Sequence, residues 1–212
     1  MRKLLYVPIV HAEADLGSLL ADAKRAFAAR HGDAGWHRHA EAIDRFWRDL
    51  RRAVADLPLD YERTYVYQDG LPVCGREIEV VSALARRGSP NHELVLWLVE
   101  RGAHLVGTES PDLLLEEYEL LKSALGKPPD ARTPAPASAG RPREERAAQL
   151  LAERDDFIRR RIDKTLPDAA TGILFMGLLH RVEEGLAGDI SVSHVINHLP
   201  LSELRSRTDR GR

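Results

Sequence analysis

Leu4-Leu5-Tyr6-Val7-Pro8-Ile9-Val10 is an unbroken apolar run that ends on His11. A run of this length without alternation is what a strand covered on both faces needs, because both sets of its side chains must avoid water. Met1-Arg2-Lys3 in front of it gives the superficial look of a signal peptide. The run is short, however, holds Pro8, and meets His11 and Glu13 without a cleavage site. It reads as the first, buried strand of the fold.

Working outward, Leu16, Leu19, Leu20, Ala23 and Phe27 recur at helical spacing up to His31-Gly32, and Trp36, Ala40, Ile43, Trp47, Leu50, Val54 and Leu57 make the stripe of a second helix. Tyr61 to Gln68, rich in Tyr, Thr and Val, reads as a strand stopped by Asp69-Gly70. Two helices follow. The first packs through Ile78, Val81 and Leu84; the second opens at Ser89-Pro90 and closes at Gly102. His104 to Thr108 is a short third strand leading into Glu109-Ser110-Pro111-Asp112, a helix start whose stripe is Leu114, Tyr118, Leu121 and Leu125.

Lys127 to Pro142 changes character, to a Pro/Ala-rich segment with nothing to build a core from. It is expected to be a mobile insertion within one domain, with residues 1–126 before it and residues 143–212 after it. A long helix from about Arg143 to Leu166 is stopped by Pro167, and Ile173 to Met176 is a fourth strand ending at Gly177. Val182 and Leu186 sit on a short helix, and Ile190, Val192 and Ile196 mark a last strand. Strands alternating with helices predict an α/β fold with a mostly parallel central sheet and helices on both faces.

The bulk numbers exclude several classes. At 212 residues, 43% hydrophobic and 30% charged, the chain is long and apolar enough for a real core. A net charge of −2 and 6% aromatics argue against a nucleic-acid binder or a stacking platform for single strands. No run approaches a membrane span. A lone cysteine, Cys74, excludes an intrachain disulfide and a thiolate zinc cluster; it fits a reducing compartment and a cytoplasmic location, and reads as a small buried hydrophobe rather than a nucleophile.

Polar residues follow the strands in an informative order: His11 after the first, Asp69 after the second, Glu109 after the third and His180 just after the fourth. The carboxyl ends of parallel strands face one crevice, so these residues would converge there. Two histidines with a carboxylate can hold a divalent metal ion or serve as a base with its orienting acid. Asp69 has a simpler explanation in its Asp-Gly turn, and Glu109 has one in the dipole of the helix behind it. Arg154 and Asp155 interrupt the apolar stripe of the long helix (Leu150, Leu151, Phe157, Ile158, Ile162), as either a buried structural pair or groups reaching the site. Arg159-Arg160-Arg161 reads as a solvated face and Trp36, Trp47 and Trp97 as packing anchors. His194 and His198 read as edge histidines, with His198 able to join the site.

Gly177-Leu-Leu-His180 at a strand end, Glu153-Arg154-Asp155 on the preceding helix, Glu109 after a middle strand and His11 after the first together resemble the TraB/Tiki superfamily, which takes in erythromycin-esterase-like and ChaN-like proteins. The resemblance runs from about Lys3 to Gly188. It implies His11, Glu109, Arg154 and His180 as the site positions, matching that family's two Gly-x-x-His motifs, its glutamate and its helical arginine. The first motif departs from the pattern, since Pro8 stands where the family carries glycine, which implies a differently shaped first loop. The family spans metal-dependent peptidases, esterases, haem binders and pheromone-shutdown proteins, so it leaves the reaction open.

The leading expectation is a metal-dependent hydrolase of an ester or amide bond in a small-molecule or peptide substrate. His11, Glu109 and His180 would hold a divalent ion or activate water directly, and Arg154 would stabilise the tetrahedral oxyanion. A ligand-sequestering protein, anchoring haem or a peptide through His11 or His180, is the alternative. A third is an interaction protein whose charged helices bind a partner.

Overall fold

The computed structural model describes residues 1–125 and 141–195. Within them lies an all-parallel five-stranded sheet. Its strands are β1 (Arg2–Ile9), β2 (Thr64–Gln68), β3 (His104–Val106), β4 (Thr171–Gly177) and β5 (Ile190–His194), in the spatial order β3-β2-β4-β1-β5. The α/β class and the covered parallel sheet expected of the opening run are therefore observed. Pro8 is tolerated inside β1 for a local reason. Tyr6 O accepts from Val195 N at 2.9 Å, so alternate residues of β1 turn their backbone groups toward β5. The β5 register ends at Tyr6↔His194, before it would need an N–H from Pro8.

Helices α1 (Leu20–His31), α2 (Asp33–Ala55), α3 (Glu77–Ala85), α4 (Pro90–Val99), α5 (Pro111–Leu125) and α6 (Arg141–Thr165) cover the two faces. Alternation along the strands divides the core. Val7, Ile9, Val66, Ile173 and Phe175 pack with Ile43, Phe46, Trp47 and Leu50 of α2 and with Leu94, Val95 and Leu98 of α4. Leu4, Tyr6, Tyr67, Leu174 and Met176 point the other way, onto Ile158 and Ile162 of α6 and onto Val182. The chain leaves β2 toward β3 on the first face and leaves β4 toward β5 past the second. β2 and β4 are neighbours, so their carboxyl ends meet where the two connections diverge, the place at which open parallel sheets bind ligands.

Some sequence expectations need correction. Arg141 and Pro142, assigned to the insertion, open α6 instead, with proline in the first turn where its missing N–H costs nothing. The remainder of the insertion, residues 127–140, and the expected Ile196 and His198 lie outside the described residues. Cys74 is exposed rather than buried, on the loop between β2 and α3. Ile78 and Leu121, both expected to pack, are 44% and 46% exposed; Ala85 takes the core position on α3 beside Val81. Trp97 is half-buried, with the Arg101 guanidinium 3.8 Å above its ring. No helix among the described residues is long and apolar enough to cross a membrane.

Candidate functional site

The carboxyl edge of β1, β2 and β4 gathers His11, Asp69 and His180, while the segment between β3 and α5 supplies Glu109 and the middle of α6 supplies Arg154 and Asp155 from behind. Asp69, directly after β2, is the hub. Its Oδ2 accepts the Gly177 N–H at 2.9 Å and stands 3.6 Å from His11 Nε2; its Oδ1 accepts Arg154 Nη2 at 2.9 Å and stands 3.7 Å from His180 Nε2. The two imidazole nitrogens thus face the two oxygens of one carboxylate, at separations too long for hydrogen bonds. The Asp-Gly turn explains the chain reversal at this point, but it had hidden the role of the side chain.

His180 is oriented from its other nitrogen. Nδ1 lies 2.5 Å from Asp155 Oδ1, and Asp155 Oδ2 accepts the Arg181 N–H at 2.9 Å, so one carboxylate fixes both the ring and the loop that carries it. Both side chains are nearly sealed, at 5% and 7% exposure, whereas His11 is 49% exposed and forms the mouth. Burial alone would lower the His180 pKa. The hydrogen bond to Asp155 and the charge of Asp69 outweigh it and hold His180 above the ordinary histidine value. Burial likewise pushes Asp69 up, but His180, His11 and Arg154 prevail and keep it ionised.

Glu109 and Arg154 do not reach the mouth. Arg154 Nε and Nη2 grip Glu109 at 2.6 and 2.8 Å in a bidentate pair, and Nη1 bonds Glu117 of α5. Glu109 Oε1 also takes the Gly70 N–H at 2.7 Å. Burial raises the Glu109 pKa even against the Arg154 charge. Arg154 is therefore the support of Asp69, not a donor aimed at a substrate. Its nitrogens are committed to carboxylates, and it is only 4% exposed.

The four residues expected at the site thus fall in two layers, with His11 and His180 in front and Glu109 and Arg154 behind. Asp155, left open as structural or functional, belongs to His180. Asp69, read as a turn residue, joins the layers. Gly177 is required by close approach: a Cβ there would stand 2.8 Å from Asp69 Oδ2 and 3.8 Å from both His11 Nε2 and His180 Cδ2. Gly177→Ala should lower stability by about 1–3 kcal/mol through overpacking, read as a drop in the urea midpoint at unchanged slope. An unchanged midpoint would mean that the carboxylate can move aside freely.

No family model, no curated protein and no solved structure matches the chain. Among the described residues, no three His, Cys, Asp or Glu side chains converge so as to hold a metal ion. The expected set of His11, Glu109 and His180 does not fit one, because Glu109 is turned to Arg154 and Gly70 and is separated from the imidazoles by Asp69. The arrangement offers instead a base with a fixed tautomer, a second imidazole at the mouth, and an ionised carboxylate between them.

Proposed function

We propose that the protein hydrolyses ester or amide bonds at this edge, with His180 as general base. The observation that carries the reading is the 2.5 Å contact between His180 Nδ1 and Asp155 Oδ1. A carboxylate at Nδ1 keeps the proton on that nitrogen, which leaves the Nε2 lone pair of the neutral ring unprotonated on the side of Asp69, 3.7 Å from its Oδ1. A water held there gives its proton to Nε2 as its oxygen bonds to the substrate carbonyl carbon. The carbonyl π pair moves onto oxygen, and a His11 Nε2–H at the mouth donates a hydrogen bond to that oxyanion. Collapse of the tetrahedral species breaks the bond to the alkoxide or amine, which leaves with the proton from His180. Asp69 stabilises the imidazolium in the interval.

A divalent ion is the second reading, and binding one would require His11, His180 and Asp69 to draw together, because as they stand they do not converge on a metal ion. It is favoured by the two Nε2 atoms facing opposite oxygens of one carboxylate, with Asp155 placed like the outer carboxylate that orients a metal-binding histidine. Such an ion would supply a polarised water. Kinship with the TraB/Tiki superfamily is part of the same proposal and rests on the order of His11, Glu109, Arg154 and His180 along the chain.

Hydrolysis of 4-nitrophenyl acetate and of leucine 4-nitroanilide by the purified chain, before and after chelation, tests both readings. Turnover that survives chelation supports the direct mechanism. Turnover lost to a chelator and restored by Mn²⁺, Zn²⁺ or Co²⁺ moves the assignment to the metal reading. An inert wild type that shifts a haem Soret band in a His11-dependent way would overturn the hydrolase in favour of a ligand-holding protein.

A further inference from the structure

A second buried polar cluster stands behind the loop that carries His11. Asp15, in the 3-10 turn after β1, accepts the Ala12 N–H at 2.8 Å on Oδ2, while its own N–H returns to Ala12 O at 3.0 Å. Its Oδ1 accepts the hydroxyl of Ser89, the N-cap of α4. Ser89 Oγ also lies 2.7 Å from His92 Nδ1 and accepts the His92 N–H at 3.3 Å. The side chains of Asp15 and His92 are 6% and 9% exposed, and Ser89 is fully buried.

Serine, histidine and aspartate are the ingredients of a nucleophilic triad, but the order is wrong for one. The hydroxyl donates straight to the carboxylate, so no imidazole stands ready to take its proton, and nothing from solvent reaches it. Capping of α4 explains Ser89 alone; a helix cap needs neither a buried aspartate nor a histidine. What the full cluster adds is a grip on Ala12. On the other side of His11, Trp47 Nε1 donates to Val10 O at 3.2 Å. His11 therefore sits between two pinned residues, while its ring is half exposed and faces Asp69 only across 3.6 Å. The aim of that ring is set by its backbone.

We propose that Asp15, Ser89 and His92 are positioning residues that hold the His11 imidazole against Asp69 and His180. The consequence for turnover rests on the hydrolase reading; the consequence for the ring does not. Asp15→Asn keeps the shape of the side chain but has one carbonyl oxygen for two donors, so Ala12 or Ser89 loses its acceptor. Ser89→Ala removes the bridge more gently, and Val54→Ala, a buried truncation on α2, is the control for stability loss alone.

The full chain with ¹³C-labelled histidine reports each ring by NMR, with the His11 signal assigned by its disappearance in His11→Gln. In Asp15→Asn and Ser89→Ala the His11 signal should shift and broaden while that of His180 stays in place. Their kcat should fall about tenfold at nearly constant KM, well within the cost of a small misplacement of a reacting group. If the His11 signal is unmoved in either folded variant, or moves equally in Val54→Ala, the cluster is structural only and the proposal fails. A moved His11 signal in a chain that hydrolyses nothing leaves the positioning intact and removes the hydrolase.

Discussion

Replacing His180 by glutamine should lower kcat by about two to four orders of magnitude, the range supplied by a positioned general base, with the fold retained. Asp155→Asn should approach the same loss without removing the ring. Asparagine has one carbonyl oxygen for the two donors that Asp155 now serves, His180 Nδ1–H and the Arg181 N–H. If the amide turns its NH₂ toward the ring, the proton moves to Nε2 and the base is lost. If it turns its oxygen there, the Arg181 N–H is orphaned. The pH profile separates catalysis from damage. In the wild type, kcat/KM should rise with pH through a midpoint above the ordinary histidine value of 6.5, because Asp155 and Asp69 hold the imidazolium. Residual activity of Asp155→Asn should show that midpoint displaced downward, since the hydrogen bond that raises it is gone. A variant with normal activity and an unmoved midpoint would remove His180 from the base role.

The stability linkage of the same residue has a definite sign. The folded pKa of His180 is raised, so the protonated ring contributes stability that is fully present below its ordinary value. That contribution is lost as pH climbs through the raised one. Activity and stability therefore run in opposite directions across this window, as expected of a base whose neutral form is the working one.

The fold was legible wherever local pattern decided it. The run from Leu4 to Val10 reads as a covered strand, as observed in β1, and the stripes of α2 and α6 match the buried faces of those helices. Strand order was not legible. The placement of β4 between β1 and β2 follows from which helices cover which face, a long-range property that no window of sequence contains. In the candidate site, His11 and His180 stand out in the sequence because each follows an apolar strand, and the structure brings both against the Asp69 carboxylate. Asp69 was undervalued because a turn accounts for Asp-Gly without reference to its carboxylate. Arg154 was recognised as anomalous, but its target depended on Glu109 and Asp69 arriving from other strands. Ser89 gave the signal of a helix start and nothing of Asp15.

Arg154→Met tests the back layer, and the expected loss is about 3–5 kcal/mol, the cost of stripping a buried charge from its partners. Methionine fills the volume, so the change isolates charge and hydrogen bonding from packing. Glu109, fully buried, would lose both bidentate bonds and Asp69 the bond to its Oδ1. Lysine should not rescue, because an ammonium cannot span Glu109, Asp69 and Glu117 as the planar guanidinium does. The loss should depend on pH in a direction fixed by Glu109. Burial already raises its pKa, and without Arg154 the folded state takes up a proton there more readily than the unfolded chain. The variant should thus be weakest above neutrality and regain stability as pH falls toward the ordinary glutamate value. Adding Glu109→Gln to Arg154→Met should recover part of the loss at high pH and little at low pH, as read by urea unfolding at both. A single variant as stable as the wild type at pH 8 would show that the cluster is hydrated, and that Asp69 is held in front of the histidines by Gly177 alone.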